Sequence, residues 1–272
     1  MQEASVLTKN CDYYEAQLDA QKWFAVTQID YDRLIALYDW KALFNSLSAE
    51  TRLLDIGCGT GKFPRLLFSR LMDVENKIEI DYLDPSAESL RQFELNQYPS
   101  VQLAQRYHLS LEELHVDASL RHRYDLIWAI HSFYTVLENA LPALIEKMLL
   151  LTKPQQGKVL VYLGSEAGFY WQFFEQYRNA VNPSLTPFLS ADQFCAALER
   201  MNVSYKTTQV NLVHTIKHSD HEILENYLRQ CVFESQPCNE WLSGSLRAFI
   251  DQYLRDDVYG FGQSNVLIEF YC

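Results

Sequence analysis

A short apolar run, Leu53-Leu54-Asp55-Ile56, passes directly into Gly57-Cys58-Gly59-Thr60-Gly61, with glycine at every second position. The run has the length and character of a buried strand, and the stretch after the glycines has that of a helix. Glycine lets the backbone turn sharply and approach a ligand closely, because no Cβ intervenes. A strand, a glycine loop and a helix in this order point to an α/β fold, with loop amides and a helix N-terminus facing a ligand above the strand's carboxyl end. Two details sharpen the feature. The spacing is G-x-G-x-G instead of the dinucleotide-binding G-x-G-x-x-G, and an acid, Asp55, stands two residues before the first glycine. A dinucleotide-binding domain and a purely structural turn remain as alternatives at this point.

The chain on either side extends the pattern. Residues 62–71 read as a crossover helix, with Pro64 tolerated in its first turn. Residues 77–83 read as a second strand, ending in Asp84-Pro85-Ser86-Ala87-Glu88: an acid at the strand tip, then a helix capped by Ser86. Asp84 falls roughly 20 residues beyond the glycine loop, where a doubly wound fold places the acid that binds ribose hydroxyls. A weak third strand at 101–105 is followed by Ser110 and Leu111. A fourth at 124–130 runs into Ile130-His131-Ser132-Phe133-Tyr134-Thr135-Val136. A helix over 137–151, a turn at 153–158 and a strand at 159–163 complete five βα-type units. Next comes an aromatic helix opening at Gly168, in which Phe169 and Phe173 share a face.

After a break at 182–187, Ser190 with Gln193 forms a capping box, and Ser219 with Glu222 reads as a second. Strands are expected at 205–214 and 265–271, antiparallel to each other, with a helix over 241–254. Residues 1–50 read as a helical cap or lid. The expected architecture is α/β: a doubly wound, Rossmann-like, seven-stranded sheet, mostly parallel with an antiparallel last strand, under this cap. Residues 51–272 would form the main domain, with 166–256 contributing a helical region over the substrate.

Composition narrows the function. The chain has 272 residues, enough to bury a sizeable core, and is 48% hydrophobic. Its 23 basic and 35 acidic residues give a net charge of −12, and no run of basic residues exceeds Arg121-His122-Arg123, which disfavours a nucleic-acid partner. Aromatics are abundant (17 Tyr, 15 Phe and 5 Trp), which suits a pocket with stacking surfaces. The six cysteines show no paired spacing and are expected to be reduced thiols. No signal sequence and no apolar run of membrane-spanning length are evident, so a soluble, cytoplasmic protein without a membrane partner is expected. His214, His218 and His221 straddle a strand end and a helix start, which reads as a surface cluster; no metal is expected.

Asp55, Gly57, Gly59 and Gly61 resemble motif I of the class I S-adenosylmethionine-dependent methyltransferases, and the resemblance spans about residues 50–165. The Asp84–Glu88 segment, the Ile130–Val136 segment and the aromatic helix are further similar to the histamine N-methyltransferase group of small-molecule enzymes. The resemblance implies S-adenosylmethionine as methyl donor and S-adenosylhomocysteine as product. It places Asp55, Gly57, Cys58, Gly59, Gly61, Asp84, Pro85, Ser86, Ser110, Leu111 and Ile130 around that cofactor. The substrate would meet Tyr13, Tyr14, Gln28, His131, Tyr134, Phe169 and Phe173, with His131 as proton acceptor and Tyr134 orienting the substrate. The chain departs from the group where substrate is recognised. The group's acid aligns with Gln28 and its strand-four amide with His131. Of its two adjacent tyrosines only Tyr134 is kept, and Phe261 is the nearest match to its C-terminal asparagine. Histamine itself is therefore disfavoured, while methyl transfer to a small amine or nitrogen heterocycle is retained. Transfer to a phenol or carboxylate oxygen, an S-adenosylmethionine-binding protein without catalysis, and an NAD-dependent oxidoreductase are the competing readings.

Overall fold

A computed structural model describes residues 20–71, 76–96, 98, 101–233 and 242–271. In chain order the elements are α1 (Ala20–Leu37), α2 (Trp40–Asn45), β1 (Glu50–Ile56), α3 (Lys62–Arg70), β2 (Lys77–Leu83), α4 (Ala87–Leu95), β3 (Val101–Tyr107) and β4 (Leu126–Ile130). There follow α5 (Leu141–Leu151), β5 (Lys158–Gly164), α6 (Phe169–Ala180), α7 (Ala191–Arg200), β6 (Tyr205–Lys217), α8 (His221–Gln230), α9 (Gly244–Asp251), the two-residue β7 (Leu254–Arg255) and β8 (Val258–Phe270). The main sheet has seven strands in the order β3-β2-β1-β4-β5-β8-β6, with β7 paired to β8 at one end. The first five strands run parallel; β8 is antiparallel to both β5 and β6. The order reverses between β1 and β4, so the glycine loop after β1 opens at the topological switch point, where this architecture binds ligands.

Both faces of the central strands are covered, which explains their nearly continuous apolar runs. Leu54, Ile127, Ala129, Val159 and Val161 belong to one core layer. Their alternate neighbours Leu53, Leu126, Trp128, Leu160 and Tyr162 belong to the other. In β6 the period-2 pattern puts Val210, Leu212, His214 and Ile216 inward. The same pattern in β8 turns Tyr259, Phe261, Gln263, Asn265 and Leu267 inward. Three polar residues thus sit on rows that are otherwise apolar, and they all contribute to the site described below.

Local signals behave as their chemistry requires. Ser86 caps α4 by accepting from the Ser89 amide, and Ser190 and Gln193 form the reciprocal box at α7. The box expected at Ser219 and Glu222 does not form. Asp220 occupies the cap position of α8 without a side-chain bond, because the turn from β6 shifts the helix start by one residue. The segment 166–256 is more than a helical cover, since it contains β6, an edge strand paired with β8 over thirteen residues. Of the expected helical cap over 1–50, residues 1–19 lie outside the described residues; the remainder contains α1 and α2, and α1 packs on β6, α8 and α3. Among the described residues no helix is long and apolar enough to cross a membrane.

Candidate active site

The glycine loop is held by β2. The Gly57 and Cys58 amides both donate to the Leu83 carbonyl at 2.8 and 3.1 Å, and the Gly59 amide donates to Oδ2 of Asp84 at 2.9 Å. The other oxygen of Asp84 accepts from the Ser86 amide at 2.8 Å. One carboxylate therefore fixes both the glycine loop and the start of α4. All three glycines have positive φ, +62°, +53° and +74°. A Cβ on Gly57 would lie 2.3 Å from that of Ser132, and one on Gly61 would lie 2.0 Å from the Tyr98 hydroxyl. At Gly59 a Cβ would meet nothing within 4 Å, so the loop leaves open space there. Gly57→Ala combines a left-handed backbone with a steric clash, and is expected to destabilise the fold by about 3 kcal/mol. Urea unfolding of the variant measures this; a change below about 1 kcal/mol would contradict the described loop.

Asp55 lies beneath this loop, directly paired in register with Trp128. Its Oδ2 is buried without a hydrogen-bond partner. Burial pushes its carboxyl up to about 7, the Trp128 indole N–H pulls it back, and the charge of Asp84 adds to the rise. An open loop, a buried carboxylate oxygen lacking a partner and a second carboxylate at the next strand tip fit a ligand with both positive charge and vicinal hydroxyls. Further along the same edge, the His108 ring contacts the Pro85 carbonyl at 3.0 Å. The Ser110 amide donates to Glu113 there at 2.8 Å, and Leu111 is buried beside it. Ile130 ends β4 and is also buried. The sequence-predicted cofactor residues are thus brought to one edge of the sheet.

Beyond that edge lies a second, denser polar cluster. His131 sits at the end of β4 with φ +56°, a strained conformation for a residue with a Cβ. Its Nδ1 meets the Tyr134 hydroxyl, which also accepts from the Gly164 amide at 3.1 Å. A Tyr134 hydroxyl that donates to Nδ1 leaves the proton of the neutral ring on Nε2. Burial lowers the His131 pKa to about 4, against the attraction of Asp30 and with a small push from His214. Nε2 is buried and has no partner. Burial thus opposes protonation of His131 in the ligand-free protein.

The acid of the cluster is Asp30, not Gln28. Gln28 is half-buried, whereas Asp30 is buried on the inward stripe of α1 with Val26 and Leu34. Its Oδ2 accepts from His214 Nε2 at 2.9 Å and its Oδ1 from Asn265 Nδ2 at 2.8 Å. Burial alone would raise the Asp30 pKa, but His214, His131 and Asn265 together hold it below the usual carboxylate range. His214 Nδ1 contacts the Tyr227 hydroxyl at 2.9 Å, and Tyr227 accepts from Gln263 Nε2 at 2.9 Å. His214 is therefore fully buried and bonded, and the expected surface cluster of three histidines is corrected: only His218 and His221 remain together, with ring centroids 5.6 Å apart. The C-terminal amide is Asn265; Phe261, the nearest match in sequence, is buried in an aromatic stack 4.2 Å from Phe169.

Phe169 and Phe173 are also core residues, stacked on each other at 5.5 Å, so their expected place on a substrate wall is corrected. The residue of α6 that reaches the polar cluster is Tyr170, whose hydroxyl lies 3.5 Å from Asp30 and 3.4 Å from His214. Trp23 of α1 stacks on Tyr170 and Tyr227 and closes the cluster from above. Tyr13 and Tyr14 lie outside the described residues. Asp30, His214, Gln263 and Asn265 could have been suspected from sequence, since each is a polar residue on an apolar stripe or row, which is rare unless it is paired.

A doubly wound sheet with a glycine loop and strand-tip acid at its switch point, beside a buried polar cluster, defines a methyltransferase-like domain. The sequence profile of the methyltransferase domain matches residues 30–206, and the chain belongs to that family. No curated protein matches it in sequence. Among solved structures it is similar to the YcgJ protein of Bacillus subtilis, with 17% identity, coverage of 89% of this chain and 97% of that one, and a TM-score of 0.54. It is also similar to a possible histamine N-methyltransferase of Thermotoga maritima, with 15% identity, 95% and 97% coverage, and a TM-score of 0.50. A third is the magnesium protoporphyrin IX methyltransferase of Synechocystis with bound S-adenosylhomocysteine, with 10% identity, 93% and 86% coverage, and a TM-score of 0.51. These likenesses establish a shared fold.

Proposed function

We propose that this methyltransferase uses S-adenosylmethionine to methylate a nitrogen of a small molecule, an amine or nitrogen heterocycle. The observation that carries this reading is the placement of the His131–Asp30–Asn265 cluster at the carboxyl ends of β4 and β5, next to the loop of Gly57, Gly59 and Gly61. The loop amides, Asp55 and Asp84 would hold the donor, with Asp84 taking the ribose hydroxyls and Asp55 facing positive charge. Ser110, Leu111 and Ile130 would flank its adenine. When bound, the donor supplies an electrophilic methyl: its S–CH3 bond breaks with the electron pair left on sulfur, an N–CH3 bond forms from the nitrogen lone pair, and the nitrogen's proton leaves to water.

The protein's own contribution is positioning. Reacting atoms held about 3–3.5 Å apart and in line account for much of the barrier reduction in such displacements. His131 and Tyr134, fixed to each other and to the Gly164 amide, would orient the acceptor as rigid hydrogen-bonding groups. Trp23 stacks on Tyr170 and Tyr227 and would wall the cluster with aromatic surface. The neighbours' acceptors range from a tetrapyrrole to a possible histamine site, so the nitrogen acceptor rests on the polar groups of this chain.

The test begins with calorimetric titration of S-adenosylmethionine, S-adenosylhomocysteine and NAD. Binding of the first two alone is expected. Incubation with methyl-labelled donor and a panel of small amines, heterocycles and phenols should then label nitrogen. Binding of NAD alone, or of none of the three, would overturn the cofactor assignment, and labelling of phenols alone would move the acceptor to oxygen.

A further inference from the structure

Asp84 fixes the glycine loop from one side, by accepting from the Gly59 amide and from Ser86 at the start of α4. The other end of α4 returns to the same loop. Asn96 caps its C-terminus, and the side-chain Nδ2 donates to the Thr60 carbonyl at 2.7 Å and to the Gln92 carbonyl at 3.0 Å. Both neighbours are carbonyl oxygens, so the NH2 side of the amide must face them. One hydrogen serves a last-turn carbonyl of α4, a group that finds no partner further along the helix. The other crosses to the loop.

Gly61 gives that second bond its importance. Glycine tolerates either orientation of the peptide before it, so the Thr60–Gly61 peptide is not fixed by its own residues. Here its two ends are held in opposite directions. Asn96 holds the Thr60 carbonyl, and the Cys58 carbonyl accepts from the Gly61 amide at 3.1 Å. Gly61 then starts α3 with φ +74° and no side-chain cap, so this peptide plane sets how the helix N-terminus leaves the loop. The end of α4 is itself anchored to the sheet. Phe93 is fully buried and stacks on Tyr82 of β2 at 4.7 Å. The Tyr98 hydroxyl donates to the Phe93 carbonyl at 2.9 Å and lies against Gly61, where a Cβ would collide with it.

We propose that Asn96 is a positioning residue for the methyl donor: it pins the Thr60–Gly61 peptide and so holds the far side of the glycine loop in the shape that receives the donor. Helix α4 then works as a clamp, gripping the loop through Asp84 and Ser86 at one end and through Asn96 at the other. Asn96 acts only through the loop, so its loss weakens donor binding without removing a donor contact. This inference rests on the reading of the glycine loop as the S-adenosylmethionine site.

The test combines calorimetric titration of the full-length protein with S-adenosylhomocysteine and amide hydrogen exchange of the ligand-free protein by NMR. Asn96→Ala removes a neutral hydrogen bond to the loop and is expected to weaken binding about fivefold to tenfold. Asn96→Asp keeps the shape but sets an acceptor against the Thr60 carbonyl, so its loss should be at least as large; it decides the matter if the alanine variant does not fold. In either variant the Gly61 amide should exchange at least about fivefold faster than in the parent, while the amides of Leu90 and Phe93 inside α4 keep their rates. Leu95→Ala, an exposed change on the same turn, should alter neither binding nor exchange. Binding within about twofold of the parent in both variants would overturn the inference. So would weakened binding with unchanged exchange at Gly61, or an equal acceleration throughout α4, which would mean that the helix had merely loosened. Failure of the parent protein to bind S-adenosylhomocysteine would instead strike the reading of the loop on which the inference rests.

Discussion

Asp84→Ala is expected to weaken S-adenosylhomocysteine binding by about 100-fold or more, equivalent to about 3 kcal/mol. The carboxylate is buried and accepts two backbone N–H groups, from Gly59 and Ser86. Hydrogen bonds to a charged group are worth roughly 1.5–3 kcal/mol each, and here both hold the same loop edge. Without the side chain, the Gly59 amide loses its partner in a segment with φ of +53°, and the open space beside it has no fixed wall. The ribose hydroxyls would lose their acceptor in the same step. Asp84→Asn should fall between the two, since its single carbonyl oxygen cannot satisfy both amides and its NH2 opposes one of them. Calorimetry with S-adenosylhomocysteine measures the loss, and urea unfolding separates it from general destabilisation. Alanine binding within threefold of the parent would remove Asp84 from the cofactor site.

A second large effect concerns pH. The Asp55 carboxyl is raised from 3.8 to about 7 in the folded ligand-free protein, by burial first and by Asp84 as well. The folded state therefore holds a proton that the unfolded state has already released. Stability from this group is complete below the unfolded pKa and is lost as pH rises through about 7. His131 acts in the opposite sense. Its folded pKa of about 4 makes stability rise with pH between there and 6.5, so the two partly cancel in the parent protein. Asp55→Asn removes only the first contribution. Relative to the parent, the variant is expected to gain about 3 kcal/mol between pH 5 and pH 8. A flat difference across that range would show that Asp55 is ionised in the folded protein. A cationic ligand favours the carboxylate, so binding of S-adenosylmethionine near pH 7 should also release a proton. Calorimetry in buffers of different ionisation enthalpy measures this, and it should disappear in the Asn variant.

The half of the site built on the glycine loop was readable because its information is local. The strand from 50 to 56, the three positive-φ glycines, the strand end at Leu83, Asp84 and the Ser86 cap fall within a few turns of chain and obey fixed periods. The antiparallel pairing of the strands expected at 205–214 and 265–271 was readable for a similar reason, from alternation, although β6 runs on to Lys217 and β8 already begins at Val258. Readings went astray where a local signal competed with a distant partner. The i, i+4 face of Phe169 and Phe173 is real, but the wall of Phe249, Tyr253 and Phe261 against it comes from other elements and makes it core. The residue one step round the helix, Tyr170, meets the polar cluster instead.

The amino-acid sequence by itself determined the βα order, the turn that a ligand can approach, the acid at the second strand tip and the class of fold these impose. Each depends on backbone conformation and on residues close together along the chain. Only the tertiary structure decided the buried polar cluster. Asp30 meets His214 across 184 residues and Asn265 across 235, and no periodicity specifies contacts at that separation. The same packing set the character of His131. A histidine in water is half-charged near neutral pH, but burial beside Tyr162 lowers its pKa to about 4 and favours the neutral ring. Residue type gave the capacity for hydrogen bonding, and the low dielectric of a packed interior, with the partners it enforced, fixed which charge state is favoured.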